Sequence, residues 1–217
     1  MAAPASASLG ILGGTFDPVH NAHLAIARLA LDALQLARVL WVPTGAPGYR
    51  IAPVAPGEDR VAMLERAIDG EPRYAVDARE LSPKHSGYTV DTLATLRAEL
   101  GDQVPLVLLM GGDQFAKLDS WQRWQRLFEL AHLAIFERSG WEPKASPAVR
   151  AALAARRAPP AGDWRNRPAG RVLCVEMAPL EVSATAIRRA IARGEDVSRL
   201  LPRSVLDYIG TRGLYRN

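Results

Sequence analysis

The sequence predicts an α/β fold: a doubly wound, mostly parallel sheet with helices on both faces, followed by a small C-terminal helical subdomain. Three observations predict it. Short runs that are apolar almost throughout alternate with stretches of helical periodicity, as expected of strands covered on both faces. Repeated strand–helix units imply right-handed crossovers between parallel strands. Near residue 183 the pattern changes, and two helical stretches follow one another with no strand between them.

The elements follow in order. LGIL (9–12), RVLWVP (38–43), RYAVDA (73–78), PLVLLMG (105–111), HLAIFE (132–137) and RVLCVEM (171–177) read as strands. Helices are expected at 21–36, 57–69, 88–100, 121–130 and 147–157. In GEDRVAMLERAID, Val61, Leu64 and Ile68 fall on one stripe. The last two helices are Ser183 to Arg193 and Pro202 to Thr211. Ser183 suits an N-cap, Gly194 the residue after a helix end, and Pro202 a first turn. The Pro-, Arg- and Gly-rich stretch 139–170 reads as an exposed connection. The expected division is a disordered tail over 1–8, the sheet domain over 9–182 and the helical subdomain over 183–217.

With 217 residues and a 48% apolar composition, the chain can bury a substantial core. No run approaches the ~18 apolar residues of a membrane span, and MAAPASAS lacks the basic and apolar regions of a secretory signal. Cys174 is the single cysteine, so no intramolecular disulfide is available. It reads as a buried strand residue in a reducing cytoplasm. The formal charge of +4 is carried almost wholly by arginine, with lysine only at 84, 117 and 144. A modest positive balance suits anionic ligands.

The chemistry is concentrated in GGTFDPVHNAH, Gly13 to His23, directly after the first strand. In open α/β sheets ligands bind beyond the carboxyl ends of the strands, where strand order reverses. Gly13 and Gly14 let backbone approach a phosphate closely. Amides at the start of the following helix attract it. His20 and His23, three apart in the first turn, can face one ligand. The stretch therefore reads as a polyphosphate cradle with imidazoles in place of a P-loop lysine. A shared metal ion on the HxxH pair and a purely structural turn are the other readings of these residues. The dinucleotide fingerprint GxGxxG is absent.

GGTFDPVHNAH together with SATAIR (183–188) resembles the paired signatures of the HxGH-type nucleotidyltransferases, a family of Rossmann-like fold. From Leu9 to Arg216 the chain is similar to the bacterial nicotinate-nucleotide adenylyltransferases. VPTGAPGYR (42–50), SGYTVDTL (86–93), GGDQF (111–115), DSWQRW (119–124) and the ending GLYR support this.

The resemblance implies a reaction in which ATP and nicotinate mononucleotide give deamido-NAD and pyrophosphate by direct in-line attack. It implies that His20, His23 and Arg188 stabilise the charge of the reacting phosphates. Gly13, Gly14, Thr15, Phe16, Asp113, Arg138, Ser183 and Thr185 would bind ATP. Thr44, Arg50, Tyr88, Thr89 and Trp121 would bind nicotinate mononucleotide. Mg²⁺ is expected with ATP, held mainly by phosphate oxygens and water, with no protein metal cage. The partners expected are ATP and nicotinate mononucleotide, with no membrane or nucleic acid; a homo-oligomer stays open.

The chain departs from the family pattern at Ala22, which replaces the glycine of HxGH, at Tyr49-Arg50 and at Arg138-Ser139-Gly140. The added methyl of Ala22 is expected to weaken ATP binding without abolishing activity. Rival readings are a relative acting on nicotinamide mononucleotide, phosphopantetheine or glycerol phosphate, a nucleotide-binding regulator without turnover, and RNA binding through the Arg-rich 150–171 stretch, with Trp164 stacked on a base.

Overall fold

A computed structural model describes residues 8–45, 52–178 and 182–216. In chain order its elements are β1 (Leu9–Gly14), α1 (Asn21–Ala33), β2 (Arg38–Pro43), α2 (Gly57–Ile68), β3 (Tyr74–Val76), α3 (Thr89–Leu100), β4 (Leu106–Gly111), α4 (Gly112–Ala116), α5 (Leu127–Leu130), β5 (His132–Glu137), α6 (Pro147–Arg156), β6 (Arg157–Ala158), β7 (Val172–Glu176), α7 (Ala184–Ala192) and α8 (Arg203–Arg212). They build one seven-stranded sheet of order β3-β2-β1-β4-β5-β7-β6. The pairs β1–β4, β4–β5, β5–β7 and β6–β7 are all parallel, with Leu9 opposite Leu106, Val107 opposite His132 and Leu133 opposite Val172. This is the doubly wound architecture expected from the alternating pattern. Strand order reverses between β1 and β4, which puts the switch point at the ends of those two strands.

The chain divides into two compact units. The first comprises residues 1–13, 26–40 and 88–179. Its centre is β4 and β5, where Leu106 to Met110 and Leu133 to Phe136 are all buried. Burial on both faces explains why these strands read as continuous apolar runs, each large side chain contributing about 1.5–3 kcal/mol. Arg97, near the end of α3, is 9% exposed. Its guanidinium donates to the carbonyls of Gly101, Val104, Leu130 and Pro168, at 2.6–3.1 Å. One side chain thus satisfies the backbone of three connections.

His132, fully buried at the start of β5, is held as a neutral ring. Nε2 donates to Arg167 O at 2.9 Å, and Nδ1 accepts from the Arg171 amide at 3.1 Å. Burial pushes its pKa down to about 4. Because the folded value lies below the ordinary 6.5, unfolding takes up a proton at acid pH. The stabilisation from the neutral ring is complete above 6.5 and is lost as pH falls towards 4. The integrated effect is about 3 kcal/mol. His132→Asn is expected to remove this component, flattening denaturant-unfolding free energy against pH across that window. An unchanged slope would contradict it.

The second unit comprises residues 14–25, 41–87 and 180–217. Phe16, Trp41, Met63, Leu64, Val205 and Ile209 are buried in it. Helices α2 and α8 are joined by Asp59, which accepts from Tyr208 Oη at 2.7 Å and from Arg212 Nε at 3.1 Å. The buried face of α2 is therefore Asp59, Arg60, Met63 and Leu64. The expected stripe is only partly realised, since Val61 and Ile68 are half-buried. Two charged residues turn inward because each finds polar partners there.

Three further local expectations are corrected. Over 121–130 the backbone forms a 3-10 turn at Trp124–Arg126 and then α5, because Arg123 adopts a left-handed conformation (φ 51°) that interrupts a longer helix. Within 139–170, α6 lies where the 147–157 helix was expected, but β6 and a 3-10 turn at Asp163–Asn166 add structure to what reads as a plain exposed connection. There Trp164 is 1% exposed and donates its Nε1–H to Pro160 O at 2.9 Å. A ring so placed cannot stack on a base, which removes the stacking from the RNA reading. Pro202 caps α8 from outside the helix, at φ −57° and ψ 143°. Ser183 does cap α7, its Oγ accepting from the Ala186 amide at 3.2 Å, and Gly194 takes a positive φ of 71° after it.

Candidate active site

In the second unit the chain leaves β1 through a turn packed on aromatic rings. Gly14 is half-buried and Thr15 exposed, whereas Phe16 is 1% exposed with φ 51°. A Cβ on Gly14 would meet the Phe16 ring at 2.9 Å, so only glycine permits this approach. Phe16 lies edge-on to His23, with centroids 5.0 Å apart, and is tilted against Trp41 at 5.6 Å. A strained, buried aromatic therefore supports the imidazole from behind.

His20 and His23 stack, with ring centroids 3.7 Å apart and planes 19° from parallel. The His20 amide donates to His23 Nδ1 at 3.2 Å, which requires that nitrogen to carry no proton. Burial holds the pKa of His20 down to about 4. His23 is also held well below the ordinary value, by burial and then by the neighbouring His20. Both rings are thus neutral near pH 7. His20 Nδ1 is buried with no hydrogen-bond partner. An anion against these rings would oppose the effect of burial and raise their proton affinity. The helix start contributes less than the sequence suggested. The Asn21 amide is already bonded to Leu200 O at 3.0 Å, and the His23 amide to His20 O at 2.9 Å.

Asp17 joins the two signatures. It is 2% exposed. Oδ2 accepts from the Val54 amide at 2.7 Å, and Oδ1 from the Ala55 amide at 3.1 Å and Tyr215 Oη at 2.7 Å. Arg188 of α7 donates to Asp17 O at 2.6 Å, and its guanidinium stands 3.7 Å from Oδ2. Arg188 also reaches Thr185 Oγ1 at 3.4 Å. Ser183 and Thr185 are exposed at this helix start. Arg60, 2% exposed, donates to Thr15 O and Thr44 O, each at 2.8 Å, and so fixes the chain just beyond β1 and β2. Burial lowers the Arg60 pKa, an effect opposed by the charge of Asp17. The structure therefore brings together Gly14, Thr15, Phe16, His20, His23, Thr44, Ser183, Thr185 and Arg188 within this unit. Gly13, exposed, is the last residue of the first unit. Arg50 lies outside the described residues.

The first unit holds the other candidates. Tyr88 caps α3 and Thr89 begins it, both half-buried. Trp121, half-buried, follows the 3-10 turn Leu118–Ser120. Arg123 Nη2 pairs with Asp91 Oδ1 at 2.6 Å, tying the Trp121 segment to the first turn of α3. Asp113 is exposed in α4, and Arg138 is exposed just after β5. Gly112 is buried where a Cβ would meet Trp141 and Glu137 Oε1, each at 2.6 Å, so glycine allows α4 to pack there. Cys174 is half-buried in β7, and burial raises its pKa, keeping the thiol protonated.

Sequence reasoning missed Arg60, Tyr215 and the part played by Asp17. Tyr215 lies in the ending GLYR, and Asp17 in the first signature; Arg60 carried no local signal.

The turn offers imidazoles, hydroxyls and one guanidinium at the end of a strand of a doubly wound sheet, groups that suit an anionic ligand. The cytidylyltransferase-like family matches residues 11–190 of the chain. A Laribacter hongkongensis protein named "Probable nicotinate-nucleotide adenylyltransferase" is 49% identical over 212 residues, covering 97% of this chain and 95% of its own. The protein of the same name from Chromobacterium violaceum is 44% identical, over 97% of this chain and all (100%) of its own. Among solved structures, the nicotinic acid mononucleotide adenylyltransferase of Plasmodium falciparum, complexed with NaAD, superposes with a TM-score of 0.71 over 96% of this chain and 97% of that one. At 18% identity this likeness concerns the fold alone. The chain belongs to the nicotinate-nucleotide adenylyltransferases of the cytidylyltransferase-like family.

Proposed function

We propose that the protein transfers the adenylyl group of ATP to nicotinate mononucleotide, giving deamido-NAD and pyrophosphate. The observation that carries this reading is the bond from Arg188 of the second signature to Asp17 of the first, at 2.6 Å. It draws imidazoles, hydroxyls and a guanidinium to one turn. Among the described residues no group of three or more His, Cys, Asp or Glu could hold a metal ion. The donors in this turn suit phosphate; Mg²⁺ brought in with ATP would be held by phosphate oxygens and water and would supply further charge neutralisation.

A phosphate oxygen of the mononucleotide attacks the α-phosphorus of ATP. The bond to the bridging oxygen breaks, and pyrophosphate leaves. Such a transfer needs positioning and charge stabilisation rather than a protein nucleophile. His20 and His23 hold the triphosphate and donate to oxygens whose charge grows as the bond breaks. Arg188 stabilises the departing pyrophosphate, supported by Ser183 and Thr185. Backbone from Gly13 to Phe16 lines the same turn. We assign Asp113 and Arg138 to ATP as well. Thr44, Arg50, Tyr88, Thr89 and Trp121 are assigned to the mononucleotide, with an aromatic face for the pyridine and the α3 amides for its carboxylate. An amide substrate lacks that negative charge, which favours the acid. The reaction is placed in the cytoplasm, where ATP is available.

Pyrophosphate release with each acceptor in turn tests this. Nicotinate mononucleotide should support the highest kcat/KM, above nicotinamide mononucleotide and phosphopantetheine. No release with nicotinate mononucleotide would overturn the reading.

A further inference from the structure

Asp17 presents a buried carboxylate beside the arginine assigned to the triphosphate, and the two would be expected to pair fully. They do not. Arg188 bonds the Asp17 carbonyl oxygen at 2.6 Å, while its guanidinium stays 3.7 Å from the carboxylate. The carboxylate is instead occupied by three neutral donors: the amides of Val54 and Ala55 and the phenol of Tyr215. We propose that Tyr215 is a positioning residue for the reaction: its hydroxyl satisfies the Asp17 carboxylate, weakens that carboxylate's pull on Arg188 and so keeps the guanidinium available to the triphosphate. The proposal rests on the assignment of Arg188 to the phosphates.

Two further features support it. Tyr215 has φ 63°, a left-handed conformation unusual for a residue with a side chain, and the bond to Asp17 gives a reason for it. Burial and the Asp17 carboxylate push the Tyr215 pKa upwards, so the phenol stays protonated and remains a donor. An ionised carboxylate has about four acceptor sites. The three donors leave one of them open on Oδ2, the oxygen nearest Arg188, so removing the phenol leaves the carboxylate less satisfied and strengthens its pull on that guanidinium. A guanidinium already bonded to the same residue can then close on the carboxylate as a charge-assisted pair, which ATP must break in order to bind. The cost falls on binding of ATP rather than on the chemical step.

The test is steady-state kinetics on the full chain, for wild type, Tyr215→Phe, Arg188→Lys and the double variant. Tyr215→Phe should raise the ATP KM about tenfold, as for loss of one hydrogen bond to a charged group. Its kcat and its KM for nicotinate mononucleotide should stay within about twofold. Arg188→Lys should itself raise the ATP KM, and in that background Tyr215→Phe should add less than about twofold, because the two act as a unit. A merely structural Tyr215 would lower thermal stability and multiply the ATP KM equally in both backgrounds. That result, or an unchanged ATP KM in Tyr215→Phe beside a raised one in Arg188→Lys, overturns the proposal alone. An ATP KM untouched by Arg188→Lys overturns the phosphate assignment and the proposal with it. Should Tyr215→Phe fail to fold, Tyr215→Met, which also lacks the hydroxyl, carries the same expectations.

Discussion

His20→Ala should lower kcat by on the order of a hundredfold or more, the effect of removing one preorganised donor at a site of developing charge. The imidazole is 6% exposed, stacked on His23 and neutral, with its pKa held down to about 4 by burial. In the proposed reaction it would donate an N–H, and would gain a proton where the triphosphate raises its pKa far enough. The two rings are coupled, so the variant also changes the surroundings of His23, whose low pKa owes part to His20. Pre-steady-state measurement of pyrophosphate formation with saturating substrates checks this. His20→Gln, which keeps an N–H donor but cannot gain a proton, should lie between alanine and wild type. Turnover close to wild type in His20→Ala would remove His20 from the mechanism.

Arg97→Leu should destabilise the fold by about 3–5 kcal/mol, because it leaves buried carbonyls without donors. The guanidinium of Arg97 serves Gly101, Val104, Leu130 and Pro168 together. These residues lie in the approach to β4, at the end of α5 and in the approach to β7. Leucine fills much of the space but donates to none of them. The thermal midpoint should fall by on the order of 10 °C. Arg97→Lys, a single point donor in place of a planar fork, should recover only part of the loss. A midpoint unchanged in Arg97→Leu would mean that water satisfies those carbonyls at little cost.

The contrast between Arg97 and the strands shows what a sequence reveals. Each of the six expected strands is present, and β2 and β5 begin and end where their apolar runs do, at Arg38–Pro43 and His132–Glu137. A strand buried on both faces leaves a short continuous apolar run, and its length, about 4–8 residues between turn signals, is what separates it from a buried helix. The turn after β1 was legible for a different reason: glycines, Asp-Pro and spaced histidines are a costly combination with few uses. Arg60, Arg97 and Asp17 were hidden because a charged side chain ordinarily marks a solvated face. Their burial depends on carbonyls and amides supplied by distant segments, as with Asp17 and Tyr215 at 2.7 Å across nearly the whole chain. The left-handed Arg123, which divides the expected 121–130 helix, gave no glycine to announce it.

In the proposed reaction the triphosphate sits on the turn after β1, under Arg188. A crystal structure of the protein with a non-hydrolysable ATP analogue tests it most directly. Phosphate oxygens within hydrogen-bond reach of His20 and of the Arg188 guanidinium are the predicted result. An ordered analogue bound elsewhere, with this turn unoccupied, would contradict it.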